Sequence, residues 1–254
     1  MKLAVALAVL PAAAAFVGPA APAAEVRMQE SKSDLEALAK GLNPTIGFWD
    51  PLNVAGASGS LYGFNNEQTI AWYRQAEIKH GRVAMAAFVG YCVQANGGHW
   101  ATKMTLGGAD WPSGSPPEQW DALPAASKWQ IILFVGMLEL FDESVAPHYM
   151  MGRKPGMFPS FSDAYAEGEG YPHPVPFDLF DPFGSLRKMM DTEEKRARGR
   201  LIEINNGRAA MLGIFGFMSA SKVPGSVPVL TFIPPYDGNY MIPFEGNFHM
   251  PSMM

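Results

Sequence analysis

The stretch "AEIKHGRVAMAAFVGY", residues 76–91, has the composition of a membrane helix except at Glu77, Lys79, His80 and Arg82. A second stretch, "IEINNGRAAMLGIFGF" at residues 202–217, aligns with it without a gap at a separation of 126. Glu77 falls on Glu203, His80 on Asn206, Gly81 on Gly207, Arg82 on Arg208 and Met85 on Met211. The chain therefore repeats one charged helix. A charged side chain at membrane depth costs about 2.5–3.5 kcal/mol on insertion scales, so each needs a partner. The repeat supplies one.

Working outward, the chain reads as three helices separated by long loops. The first covers residues 66–96, about 46 Å at 1.5 Å per residue, more than a hydrocarbon core of roughly 30 Å. The second, "PAASKWQIILFVGMLELFDES" at 124–144, opens on a proline and is just long enough to cross. The third covers 188–221, with a charged first half, "KMMDTEEKRARGR", outside the bilayer, and "KVPG" at 222–225 ending it. The loops 97–123 and 145–187 are rich in Pro, Gly and aromatic residues, a length that points to binding. The repeat extends upstream, since "GFWDPLNVAG" at 47–56 and "FDLFDPFGSL" at 177–186 each place an Asp-Pro turn before a charged-then-apolar helix. Residues 29–65 form an N-terminal segment and 222–254 a tail. The fold class expected is an all-α membrane protein with three transmembrane helices, the first and third related by pseudo-two-fold symmetry.

Composition agrees with a membrane setting: 48% of the 254 residues are hydrophobic, only 17% are charged, and the formal net charge is −5. That charge offers nothing to nucleic acid. One cysteine, Cys92, excludes an intramolecular disulfide framework and reads as a small packing residue. Residues 1–28 begin with Lys2 and a short apolar run and continue Ala- and Pro-rich. This is the layout of a signal peptide leading into a second address, as for a plastid entered through the secretory route.

With an intervening span, the first and third helices run in the same direction. At their crossing Arg208 can reach Glu77 while Arg82 reaches Glu203. On this reading an Arg208→Leu chain, with Glu77 uncompensated, fails to fold. Two bridges acting only as helix glue would leave His80 and Asn206 unexplained three residues after each Glu. A carboxylate paired with Arg keeps a free lone pair, and a neutral imidazole or amide offers another. Such donors suit a hard metal needing one axial ligand from the protein, and the magnesium of a chlorophyll, already held by four ring nitrogens, is one. Gly81 and Gly207 leave room for a flat ring or for the partner helix. The rival reading, a di-iron Glu-x-x-His site, requires a second His where the chain has Asn206.

The motifs "EIKHGRVAM" and "EINNGRAAM", each after its "DPL" or "DPF" turn, resemble those of the light-harvesting chlorophyll-binding proteins of photosynthetic eukaryotes. The resemblance covers about residues 46–245. The "GMLELF" second helix and the tail "SASKVPGSVPVL" are most similar to the chlorophyll a/c branch, in particular the peridinin-containing antennae of dinoflagellates. It implies that Glu77, Glu203, His80 and Asn206 ligate chlorophyll magnesium, the two Glu while paired with Arg208 and Arg82. Glu139 in "GMLE" matches a family ligand, or is an interfacial carboxylate. Gln130 aligns with a further family ligand, although its spacing to Glu139 is nine, one more than the green-lineage pattern, and Gln94 has two readings, ligand or cap of polar backbone. Two carotenoids are implied with their ends in the Asp-Pro turns, against Trp49, Asp50, Pro51, Phe180, Asp181, Pro182 and Phe183. Ala220 stands where green-lineage relatives carry a ligating Gln, so pigments at that end of the third helix lose a side-chain ligand.

The function implied is an antenna and not an enzyme. It would hold chlorophyll a, chlorophyll c and carotenoids (peridinin, diadinoxanthin) and pass excitation to a photosystem, with photosystem I favoured. Its partners would be the photosystem core, neighbouring antenna proteins and the lipids of the plastid thylakoid membrane, which it would cross several times. A photoprotective member of the same family is the alternative. A channel or transporter would need a continuous polar path, which three spans around two ion pairs do not offer.

Overall fold

The computed structural model of the chain describes residues 30–56, 63–161, 181–183 and 185–244. The targeting segment expected at 1–28 lies outside them. Among the described residues the secondary structure is helical, with no strand. In chain order the helices are α1 (Lys32–Leu42), α2 (Asn66–Ala95), α3 (Pro116–Asp121), α4 (Ala125–Ser144), α5 (Ser185–Met189) and α6 (Glu193–Lys222), with single 3₁₀ turns at Tyr149–Met151 and Pro228–Leu230.

Local chemistry sets these boundaries. The Asn65 side chain accepts from the Gln68 N–H at 2.8 Å while Gln68 Oε1 accepts from the Asn65 N–H at 3.1 Å, a reciprocal cap that starts α2. Gly97, at φ +68°, takes the chain out of the helix just past Asn96. The third long helix starts at Glu193 and not near Lys188. Thr192 adopts an extended backbone and its hydroxyl accepts from the Lys195 N–H at 3.4 Å, which separates α5 from α6.

The α2 and α6 helices pack at their glycines. A methyl group placed on Gly81 would lie 3.1 Å from the Gly207 Cα, and one on Gly207 would lie 2.9 Å from the Gly81 Cα. The backbones are therefore in direct contact, which only two glycines permit. Ala84 and Ile204 are buried beside this point. Further along, Phe217 stacks on Tyr91 at 4.8 Å and on Phe88 at 5.0 Å between ring centroids. Gly81 with Gly207, and Tyr91 with Phe217, are corresponding positions of the repeat.

By contrast, α4 is held at its ends. Toward its C-terminus Phe141 packs with Val145 and Phe161, and Leu138 and Phe158 close over them. The following 3₁₀ turn rests on α2, with Tyr149 buried and its hydroxyl donating to Glu143 at 3.2 Å. Burial, and then the Glu143 charge, push the Tyr149 phenol up to about 12, so it stays a neutral donor. At the other end Trp129 meets Phe244 at 4.8 Å. The wholly buried Lys128 donates to the Asp121 carbonyl at 3.1 Å and sits over Trp120. The tail is stitched to the same end: Tyr236 Oη donates to Asp121 Oδ2 at 2.7 Å, Trp120 Nε1 to the Pro243 carbonyl at 2.8 Å, and Lys222 Nζ to the Gly238 carbonyl at 2.6 Å. Between the ends Ile131, Leu133, Phe134, Val135, Met137 and Leu140 remain exposed.

Three spans were expected, but among the described residues no helix is long and apolar enough to cross a membrane. The physical reason is visible in the packing. The ion-pairing residues of α2 and α6, and Lys128, Glu139, Asp142 and Glu143 on α4, interrupt the apolar runs, and several of their charges are balanced by residues of another element.

The glycine contact makes a directional prediction. Gly207→Ala should destabilise the chain by about 1–3 kcal/mol, the usual cost of overpacking. Gly136→Ala on α4, where nothing lies within 4 Å, should be neutral or gain up to roughly 1 kcal/mol from helix propensity. Thermal melting followed by far-ultraviolet circular dichroism distinguishes the two signs.

Candidate functional site

The crossing of α2 and α6 gathers the repeated residues. Arg208 reaches across to Glu77, its Nε 2.8 Å and its Nη2 2.7 Å from Oε1. In the other direction Arg82 Nε lies 2.5 Å from Glu203 Oε1. The glycines one helical turn away bring the backbones close enough for both reaches.

The two carboxylates are not equivalent. Arg74, buried on α2 one turn before Glu77, donates from Nη1 to Glu77 Oε2, and its Nε pairs with Glu30 Oε2 at 3.0 Å. Glu77 thus has both oxygens engaged by guanidinium groups, one shared with Glu30. Glu203 uses only Oε1, and its Oε2 has no hydrogen-bond partner among the described residues. Arg200 corresponds to Arg74 in the repeat, but it is exposed and makes no ion pair among the described residues. Arg74 escaped the sequence reading, although its i,i+3 spacing to Glu77 was a usable signal.

The neutral donors are open. His80 Nδ1 lies 2.7 Å from the Ala76 carbonyl, which can only accept, so Nδ1 carries the proton and Nε2 presents its lone pair on an exposed ring. Asn206 is exposed, with no side-chain hydrogen bond among the described residues. Glu139 lies on α4, away from the crossing, with Oε2 2.7 Å from Lys79 Nζ and the residue well exposed. Gln130 is exposed near the start of α4. Gln94 is half-buried at the end of α2, where its carbonyl accepts from Gln119 Nε2 at 3.0 Å.

The Asp-Pro turns differ in their closure. Asp50 Oδ1 accepts from the Val54 N–H and Oδ2 from the Ala55 N–H, each at 2.9 Å, which winds the turn around the carboxylate. Trp49 and Pro51 are exposed on it. Asp181 is buried and accepts from Ser185 Oγ at 3.4 Å, with Pro182 and Phe183 exposed beside it. Phe180 lies outside the described residues. At the end of α6, Ala220 and Ser221 are buried, and Ser221 Oγ lies 2.5 Å from Tyr240 Oη.

These donors fit the magnesium of a chlorophyll better than a bare ion. No group of three or more His, Cys, Asp or Glu that could hold a metal occurs among the described residues. Each donor stands singly, and Val83, Val89, Leu212 and Phe215 provide exposed apolar surface on the same two helices. A macrocycle that brings its own four nitrogens needs one donor and an apolar wall.

The chain matches the family model described as Chlorophyll A-B binding protein over residues 35–222. Similar proteins include the chloroplastic fucoxanthin-chlorophyll a-c binding protein of Trieres chinensis, 33% identical over 91% of this chain and 98% of that protein. Fucoxanthin-chlorophyll a-c binding protein A of Macrocystis pyrifera is 34% identical over 70% of this chain and 69% of its own length. Fucoxanthin-chlorophyll a-c binding protein F of Phaeodactylum tricornutum is 32% identical over 88% and 96%.

The unequal pairing changes what the arginine substitutions should do. Arg208→Leu leaves Glu77 with Arg74, whereas Arg82→Leu leaves Glu203 with no cation. Removing one partner of a buried pair costs about 3–5 kcal/mol, less where water reaches it. Arg82→Leu should therefore lower the yield and melting temperature of the refolded complex more than Arg208→Leu does. Equal losses in the two variants would show that Arg74 does not compensate Glu77.

Proposed function

This chain belongs to the chlorophyll A-B binding protein family, and from that premise we propose that it is a thylakoid antenna that passes excitation from bound pigments to a photosystem, with photosystem I favoured. α2, α4 and α6 would cross the membrane as a unit, their charges balanced helix to helix. A two-fold axis relating α2 to α6 is supported by the contacts between corresponding residues, Gly81 with Gly207 and Tyr91 with Phe217. Glu77, Glu203, His80, Asn206 and Glu139 would ligate chlorophyll magnesium, with Gln130 and Gln94 as further donors. The single observation that carries this reading is a set of isolated oxygen and nitrogen donors beside exposed apolar helix faces, the carboxylates among them charge-compensated.

The pigments when bound supply the light absorption and energy transfer. The chain's residues fix their spacing and orientation. Arg208 and Arg82 cancel ligand charge, the Ala76 carbonyl selects the His80 tautomer, and the Gly81–Gly207 contact sets the separation of the two ligand helices. Chlorophylls a and c and the carotenoid fucoxanthin fit the relatives' names, and the sequence motifs resemble those of peridinin-binding antennae. Trp49, Pro51, Pro182 and Phe183 offer exposed surface at the two turns for its ends, and diadinoxanthin is a second candidate there.

Dissipation of energy under acid, the photoprotective alternative, requires carboxylates on the lumenal face that protonate in mild acid. Glu118, at the end of the bundle where α3 and the tail meet, has a pKa that moves the opposite way. The Ser115 hydroxyl and then the Ser115 N–H, both donating to Glu118 Oε2 at 2.7 Å, hold it below its ordinary 4.5. A depressed carboxylate contributes stability that is complete above 4.5 and lost only as pH falls through the folded value.

A fluorescence excitation spectrum of the complex in mild detergent, read at red chlorophyll emission, tests the antenna reading. Carotenoid and chlorophyll c bands with yields near that of direct excitation are expected. Intact protein purified without pigment would overturn the ligand assignments. Emission yield should stay flat between about pH 7.5 and about pH 5.5, above the range where Glu118 titrates. Acid quenching within that window would favour dissipation.

A further inference from the structure

Of the charged residues in the repeat, Lys79 takes no part in the crossing. Its counterpart is the neutral Asn205, whose amide donates to the Leu42 carbonyl at 3.4 Å. Lys79 turns instead to α4, where Nζ lies 2.7 Å from Glu139 Oε2 and 2.6 Å from Asp142 Oδ2.

The two carboxylates have different surroundings. Asp142 is 1% exposed and saturated: Arg153 Nη2 donates to Oδ1 at 2.7 Å, and Gln75 Nε2 to Oδ2 at 2.9 Å beside Lys79. Gln75 in turn accepts from the Gly156 N–H at 2.5 Å, so this anchor joins α2, α4 and the following loop. Glu139, three residues earlier and so on the same face of α4, has a side chain 55% exposed and engages only Oε2. Glu139 lines a cleft of about 160 Å³ between α2 and α4, together with Lys79, Arg82, Val83 and Phe158 among others. Arg153 offsets Asp142, and Glu143, 3.9 Å from Lys79 Nζ, is held closer by His148 Nε2 at 2.9 Å, so Lys79 is the cation in contact with Glu139.

We propose that Lys79 is a positioning residue for pigment: its ammonium cancels the charge of Glu139, so that the free oxygen of Glu139 can ligate a chlorophyll magnesium between α2 and α4. The proposal rests on the antenna reading above. It gives α4 the same device as the crossing, a cation on one helix neutralising a ligating carboxylate on another. The competing role for Lys79 is to anchor the buried Asp142 alone.

The two roles separate in the full-length chain refolded with chlorophyll a, chlorophyll c and a carotenoid extract. Chlorophyll per chain, the absorption difference spectrum and the melting temperature are measured for Lys79→Met, Lys79→Arg and the double variant Lys79→Met with Glu139→Gln. Lys79→Met should lose about one chlorophyll per chain, because an uncompensated carboxylate is costly at that depth. Lys79→Arg should retain it. The double variant should regain it, because an amide oxygen ligates without a counter-charge. A full pigment complement in Lys79→Met overturns the proposal. So does a double variant that assembles no better than Lys79→Met, which assigns Lys79 to Asp142. Wild-type chain that takes up no pigment overturns the antenna reading and this proposal with it, an outcome distinguishable from the other two.

Discussion

The closeness of the α2 and α6 backbones at Gly81 and Gly207 is the constraint on which the rest depends. A guanidinium on one helix reaches a carboxylate on the other only when the axes are nearly in contact. A side chain at either glycine would separate them and strand both charges. The cost of stranded charge is what makes the contact necessary, and the absence of Cβ atoms is what makes it possible. The ion pairs and the glycines are therefore one device, and the stacking of Tyr91 on Phe217 fixes the same helices further along.

Beyond that crossing, side chains do not fill the interior. α4 is tied at one end by the Asp142 anchor and the Phe141 cluster, and at the other by Lys128, Trp129 and the tail. Its middle presents Ile131 to Leu140 with little cover. A soluble bundle would bury that stripe against its neighbours. Here the polar ends set the position of the helix, and the apolar middle is left exposed. Several of the charged groups on these helices are paired with residues distant in sequence, Arg208 with Glu77 and Lys79 with Glu139 among them.

Much of this was legible in the sequence because the decisive contacts lie between copies of one motif. Matching Glu77 with Glu203 and Arg82 with Arg208 placed the four charges and the two glycines together from spacing alone. Other features were not legible for identifiable reasons. The break before α6 depends on Thr192 acting as a cap within a run that otherwise favours helix. The burial of Arg74 depends on Glu30, forty-four residues earlier, which shares it with Glu77. Asp142 is an unremarkable acid near a helix end in the sequence. Its burial depends on Gln75, Lys79 and Arg153 converging from three segments, which no periodicity encodes.

The departures from symmetry have a common geometric origin. Two crossing helices present two equivalent flanks, but the chain has a single α4 and sets it against α2. The residue facing it is therefore a cation on α2, Lys79, while the matching position on α6, Asn205, serves α1. The residue preceding α1 likewise meets only one copy: Glu30 draws Arg74 into the interior beside Glu77, and Arg200 stays outside. Glu77 consequently shares its charge with two guanidinium groups and Glu203 with one, so Glu203 is the stronger electron donor of the pair. Carboxylates alike in sequence thus offer unequal donors.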